Sequence, residues 1–343
     1  MFRSSTSSSS ALQVRGLPLQ AAGIALLLLL AVELGVGRQD WIWQAVRGSD
    51  IGLLNLMDRH VIPVAPPPKV LLMGSSRMRD AVPPRDLERS LGLSEGAVLN
   101  LGVTGGTPFE ALVLYRRHRE KLSQAEVLVI SAEDWYSNGG IRPGDADRRF
   151  ATLSGRLSDY GLEESLGLLV GWVWRTYDAR YAIERWMRCQ FRDCEGSAYV
   201  GPDRRVIYRR EGPLEGPAEV DVTPDLRRFY QNYAWSNGRL RQLARLIAAA
   251  RQDGVRVMVV QFPFRDEYLS AVRKQHGQAY DDYLRALRGL DGAEVLVFES
   301  AGELGIAQRY FRDYGHLTPL GAELMAERLA AAIAARPQER PAS

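Results

Sequence analysis

Five short apolar runs, separated by amphipathic stretches, constrain the fold of this chain more than any other feature. The runs are Lys69–Met73, Ala97–Leu101, Glu126–Ile130, Arg256–Phe262 and Glu294–Phe298. Each is too short for an ordinary helix and is apolar at consecutive positions, not alternate ones. Strands of that kind are covered on both faces, as in a parallel sheet held between helices. Among the intervening stretches, Leu240, Leu243, Ala244, Ile247 and Ala248 fall on one helical face, and Gly254 ends that helix. Thr318-Pro319 opens a last helix with a capping residue followed by proline, and its Leu324, Met325 and Leu329 can face the sheet. The expected fold class is therefore α/β, a three-layer α/β/α domain with a mostly parallel central sheet.

Composition excludes several classes. Apolar residues make up 46% and charged residues 25%, which is a globular and not a disordered chain. The excess of Lys and Arg over Asp and Glu gives a net charge of only +3, too little to argue for nucleic acid as a partner. A multi-span membrane protein is also excluded, because one stretch alone is long and apolar enough to cross a bilayer.

That stretch runs from Leu17 to Val36, and Glu33 is its only charge. About 20 residues at 1.5 Å rise span a hydrocarbon core of about 30 Å. Arg3 and Arg15 precede it, which favours a cytoplasmic N-terminus. The expected organisation is a cytoplasmic tail over 1–16 and a single transmembrane signal anchor over 17–37. A juxtamembrane linker follows over 38–68, then an α/β domain over 69–335 and a tail over 336–343. Trp41 and Trp43 suit the headgroup region, and Pro63 with Pro66–Pro68 makes a stiff spacer. A cleaved signal peptide, with Gly35 and Gly37 near the cleavage site, is the alternative. The apolar run is longer than the usual core of about 7–15 residues in such peptides. Either reading exports the domain, to the periplasmic or extracytoplasmic side of the inner membrane.

Residues 136–235 interrupt the strand–helix rhythm. They hold Gly139-Gly140, many arginines, Trp172, Trp174 and Trp186, and both cysteines. They read as an insertion on the α/β core, and their aromatic side chains could form a wall against sugar rings or simply pack. Cys189 and Cys194 have no second Cys/His pair nearby, so they do not make a zinc site. They are either two thiols or, in an exported domain, a small disulfide loop.

Three segments could carry chemistry. Gly74-Ser75-Ser76-Arg77 follows the first strand and places a hydroxyl at the carboxyl end of the sheet, where open α/β sheets bind ligands. Either serine could instead only cap the next helix. Asn100 to Pro108 holds Gly102, Gly105 and Gly106, a glycine-rich turn whose N–H groups can form an oxyanion hole. It matches neither dinucleotide nor P-loop patterns. Asp313-Tyr314-Gly315-His316 precedes the last helix; an Asp three residues before a His can hold one ring nitrogen and leave the other as a base. The remaining histidines, His60, His118 and His276, lie in polar surroundings and read as surface.

In order and spacing the three segments resemble the SGNH/GDSL hydrolase superfamily. On that resemblance Ser76 is the nucleophile, Ser75 stands where the family usually has Asp, Gly105 donates to the oxyanion, and Asp313 and His316 complete the site. The match covers roughly residues 69–335, the insertion excepted. One block departs: the family's third block usually carries an Asn as oxyanion donor, and here Ser131-Ala132-Glu133-Asp134-Trp135 offers only Asp134. An ionised carboxylate cannot donate. The oxyanion would then rest on the N–H groups of Ser76 and Gly105, or on Arg77. Arg77 and Asp134 are left as candidate substrate-binding residues. The Gly-Ser-Ser-Arg form and the apolar N-terminus resemble the membrane-anchored branch that includes DltD and alginate O-acetyltransferase proteins. That resemblance implies serine acyl transfer to an exopolysaccharide or cell-wall polymer, beside a membrane-bound O-acyltransferase that supplies the acyl group. It implies no metal and no diffusible cofactor. An exported carbohydrate or lipid esterase, or a non-catalytic assembly factor on the same fold, are the other readings.

Overall fold

The computed structural model describes residues 19–39, 41–42, 50–141, 153–158, 162–191, 198–200, 206–208 and 213–335. All five apolar runs are strands, within a residue or so of their expected bounds. They are β1 (Val70–Gly74), β2 (Val98–Gly102) and β3 (Val127–Ser131), then, after a small antiparallel hairpin of β4 (Ala198–Val200) and β5 (Val206–Tyr208), β6 (Arg256–Gln261) and β7 (Glu294–Val297). The sheet order is β2-β1-β3-β6-β7, and every neighbouring pair is parallel. The chain leaves β1 toward one edge and returns to β3 on the other side of it. That reversal opens a crevice at the carboxyl ends of β1 and β3, where sheets of this order hold ligands.

Alternate residues of each central strand enter different cores. Leu71, Met73, Leu128, Ile130, Val257 and Val259 pack with the helices Pro108–Arg117, Gly238–Gln252 and Asp266–Arg288. Val70, Leu72, Val127, Val129, Met258 and Val260 pack with Ser76–Ala81, Pro84–Leu91 and Pro319–Ala334. Both faces are thus covered, which is why the strands are apolar throughout. The helix Gly238–Gln252 buries Leu240, Leu243, Leu246, Ile247 and Ala250, while Ala244 and Ala248 are exposed. The apolar face expected there is rotated because the larger leucines, not the alanines, fill the space above the sheet.

Three other expectations are revised. The segment expected to be a linker folds as a helix, Asp50–Leu56, and a wider turn, Met57–Val61. Leu53, Leu54, Met57 and Ile62 join the main core, and Asp58 binds Arg117 and, at 2.8 Å, His118. Lys121 Nζ ties down the carbonyls of Pro63 and Ala65, each at 2.7 Å. His118 is therefore a packing partner, and so is His276, whose ring stacks 4.7 Å from that of Tyr230.

The apolar N-terminal run gives a 14-residue α-helix, Leu19–Val32, and then a wider turn, Glu33–Gly37. Among the described residues no helix is long and apolar enough to cross a membrane, so no spanning helix is seen over 19–37, the described part of the segment expected to span; residues 17 and 18 lie outside the described residues. The change of winding falls at Glu33. Its carboxylate accepts the N–H groups of Arg175 and Thr176, both at 2.9 Å, and pairs with Arg38 at 3.2 Å. The described parts of the 136–235 region are mostly helical: Leu153–Ser158, Leu162–Val173 and Arg175–Cys189. Cys189 is disulfide-bonded; Cys194 lies outside the described residues, as does Trp43.

Candidate active site

The turn after β1 divides the two serines between two jobs. Ser75 caps the helix Ser76–Ala81: its Oγ accepts the N–H of Arg77 at 3.0 Å. The same hydroxyl donates to Glu133, and the Ser75 N–H donates to Ser131 Oγ at 3.0 Å. Ser76, relieved of capping, stands in the first turn of the helix with its Oγ 2.7 Å from His316 Nε2. The other ring nitrogen, Nδ1, lies 2.8 and 2.9 Å from the two oxygens of Asp313. Residues 240 apart in sequence thus form one hydrogen-bonded chain, hydroxyl to imidazole to carboxylate.

Asp313 holds its own loop as well as the ring. Its Oδ1 accepts the N–H of Gly315 at 3.0 Å and of His316 at 2.8 Å. Burial pushes this carboxyl up, but the hydrogen bonds from His316 and the two backbone N–H groups outweigh it and hold the group at about 2. It is an anion at any physiological pH, as a group orienting an imidazole must be.

The loop is fixed from three further directions. The Tyr314 ring lies 4.8 Å from Tyr268, 5.5 Å from Phe229 and 5.8 Å, edge-on, from His316. The Tyr314 carbonyl accepts the N–H of Arg265 at 2.9 Å, and the His316 carbonyl accepts that of Arg312 at 2.8 Å. The third restraint is Arg77. Its guanidinium is buried, lies 4.1 Å over the Phe264 ring, and donates to the carbonyls of Gly315 (3.3 Å), Pro263 (2.9 Å) and Phe262. It also pairs with Glu133 at 3.0 Å. All three nitrogens donate inside the protein and the side chain is buried, so Arg77 is neither the substrate-binding residue nor the oxyanion donor expected from sequence. It is a strut that joins the helix of Ser76 to the loop of His316.

Asp134 is likewise removed from the candidates for substrate contact. It is 1% exposed, and its Oδ2 accepts the hydroxyls of Tyr230 and Tyr268, each at 2.9 Å. Its Oδ1 has no partner among the described residues. Burial pushes this carboxyl up to about 6; the charge of Arg77 and the tyrosine hydrogen bonds oppose the rise, and the charge of Glu133 adds to it. Its folded value lies above its ordinary 3.8, so between about pH 4 and 6 the folded protein keeps a proton that the unfolded chain has lost. Stability from this group is full below that window and falls as pH rises through it. In urea titrations, Asp134→Asn is expected to gain midpoint relative to the parent as pH goes from about 4.5 to 7.5. A constant difference across that range would contradict this assignment.

The glycine-rich turn after β2 docks on the serine turn. Val103 N–H donates to the Gly74 carbonyl at 3.0 Å, and a Cβ on Gly106 would meet that same carbonyl oxygen at 2.2 Å. Gly105 has φ of +64°, a left-handed conformation that suits glycine, and it is exposed. Thr104 Oγ1 accepts from Arg79 at 2.8 Å, and Thr107 with Glu110 closes a capping box on the helix Pro108–Arg117. Neither the Ser76 N–H nor the Gly105 N–H is spent on another group among the described residues. Asn100, in the same block, clamps the carbonyls of Met78 (3.2 Å) and Val82 (2.9 Å).

Two groups had no sequence signal. Glu133 joins Ser75 to Arg77, and only the register of β1 beside β3 brings it there. Asp225 stands in the first turn of the helix Thr223–Tyr230, one turn before Phe229, and its carboxyl feels the charges of Asp313 and His316. A carboxylate beside the site was not legible because it arrives from the far end of the insertion.

Residues 226–343 match a family model described as the SGNH hydrolase-like domain of the acetyltransferase AlgX. The match supports the SGNH hydrolase superfamily and, within it, the alginate O-acetyltransferase-like branch. It covers the Asp313–His316 block and suggests an acetyltransferase- or hydrolase-type function. No curated protein matches the chain. A solved structure described as that of a proposed platelet activating factor from Streptococcus pneumonia is 12% identical, over 92% of this chain and 100% of that one, with a TM-score of 0.38. A likeness that weak carries no argument. The SGNH reading rests on the family match and on the residues themselves.

Proposed function

We propose that this protein is an SGNH-type serine O-acyltransferase of the cell envelope, which O-acetylates an exopolysaccharide or cell-wall polymer through an acyl-Ser76 intermediate. The observation that carries the reading is the hydrogen-bonded chain from Ser76 through His316 to Asp313. In the proposed mechanism, His316 Nε2 takes the Ser76 proton as Oγ bonds to the acyl carbonyl carbon. The carbonyl oxygen becomes an oxyanion held by the N–H groups of Ser76 and Gly105. As the tetrahedral centre collapses, His316 returns the proton to the departing group. A sugar hydroxyl then repeats the sequence on acyl-Ser76, and the acyl group leaves on the sugar.

An acyl donor from a membrane-bound O-acyltransferase fits this scheme, with the protein on the outer face of the cytoplasmic membrane. The bonded Cys189 agrees with an oxidising compartment, and the exposed apolar side chains Leu26–Leu30 agree with a lipid neighbour. In this scheme the domain over 69–335 does the chemistry, and the N-terminal helix keeps it at the membrane.

The test is turnover of the full chain on an activated acetyl ester, with and without acetylated-polymer precursors. Acetylated glycan at the expense of free acetate supports a transferase. Acetate alone, at a rate no glycan changes, overturns transfer in favour of an esterase. Gly106→Ala gives a second check. The added methyl cannot fit against Gly74, so the turn must shift and move the Gly105 N–H. Loss of one oxyanion donor lowers kcat by about 10²–10³. An unchanged kcat would remove Gly105 from the site.

A further inference from the structure

The insertion turns a row of large apolar side chains outward. On the helix Leu162–Val173, Leu166, Val170 and Val173 are 56%, 51% and 68% exposed and lie at helical spacing on one face. Trp172 and Trp174 are exposed beside them, as is Leu157 on the preceding helix. The inward side buries Leu168, Ala179 and Ala182 together with an ion pair: Arg156 is fully buried and pairs with buried Asp178 at 3.1 Å. Gly171 makes room for that pair, since a Cβ there would meet Asp178 Oδ1 at 1.8 Å. A domain that faces water puts its apolar stripe inward and its charges outward.

We infer that this outward apolar face of the insertion rests on a lipid bilayer. Two further observations select lipid as the occupant. First, the face is continuous with the N-terminal helix: Arg38 donates to the Val173 carbonyl at 3.3 Å, Gly37 packs against the backbone of Thr176, and Trp41 meets Trp186 edge-on at 6.2 Å. The turn that follows the exposed leucines of Leu19–Val32 thus docks on the insertion. Second, the next helix, Arg175–Cys189, carries Arg175, Arg180, Arg185 and Arg188 against Asp178 and Glu184. Tryptophans at the boundary and arginines beyond it match the headgroup region of an anionic membrane. An apolar face with tryptophan and arginine at its margin lies in the interface and need not span it.

This inference rests on the membrane location proposed above, and the experiment separates the two. The full chain is mixed with vesicles of phosphatidylethanolamine and phosphatidylglycerol, with and without brominated acyl chains. The expected result is that the chain floats with the vesicles and bromolipid quenches its fluorescence. Trp172→Phe with Trp174→Phe then removes a large share of that quenching, while flotation is retained. Leu166→Glu, Val170→Glu and Val173→Glu together weaken vesicle partition by about tenfold or more. Flotation with quenching unchanged by the tryptophan substitutions overturns the insertion face and leaves the membrane location standing. Failure to float overturns both. Retained hydrolysis of an activated ester shows that each variant is folded.

Discussion

Ser76→Ala is expected to lower acetyl transfer by about 10⁴-fold or more, because the hydroxyl that would become the acyl ester is gone. Among the described residues the hydroxyl bonds only to His316, and helix capping is done by Ser75. Unfolding free energy should therefore stay within about 0.5 kcal/mol of the parent. That separation of rate from stability is what a merely structural serine would not give. His316→Ala should cost a similar factor, and the double variant little more, since residues acting as one unit are not additive. Asp313→Asn keeps the shape but lets the imidazole take the wrong tautomer, a loss of about 10⁴ where the arrangement is the same. The comparison is made by steady-state kinetics on an activated acetyl ester beside urea unfolding.

The second large effect belongs to Arg77. Arg77→Met leaves Glu133 buried without its cation and leaves the carbonyls of Phe262, Pro263 and Gly315 short of a donor. Breaking a buried pair from one side costs about 3–5 kcal/mol. Because the Gly315 carbonyl belongs to the His316 loop, activity falls together with stability. Arg77→Met combined with Glu133→Gln removes the stranded charge and should be less destabilised than the sum of the single variants. This cycle, read by urea unfolding at pH 7, tells a strut from a substrate-binding arginine. A surface-facing Arg77 would change KM and leave stability near that of the parent.

Much of the core was legible in the sequence because consecutive apolar residues are a direct consequence of double burial. The five runs became the five strands of the main sheet within about a residue, and Thr318-Pro319 opened its helix through local capping chemistry. The positions of Ser76, Asp313 and His316 were also legible, since strand ends and loops before helices set them on one edge of the sheet. Arg77 and Asp134 were misplaced for a single physical reason. A charged residue beside a candidate nucleophile looks available, and only packing shows that Phe264, Tyr230 and Tyr268 enclose it. The alanines of Gly238–Gln252 were misread because helical periodicity finds a stripe but does not fix its centre. The insertion makes the same point more strongly: its helices have a clear apolar stripe, and sequence alone cannot say that the stripe faces outward. Glu33 could be seen as the one charge in an apolar run, but its partners at Arg175 and Thr176 lie more than a hundred residues away.

In the proposed mechanism Ser76 carries the acyl group. The most direct measurement treats the full chain with an activated acetyl ester, quenches with acid, and maps the adduct by peptide mass spectrometry beside Ser76→Ala and His316→Ala. The expected result is acetyl on Ser76 in the parent, none at that position in Ser76→Ala, and a strongly reduced rate of labelling in His316→Ala. Labelling of other residues with Ser76 left unmodified, at equal rates in all three proteins, would contradict it.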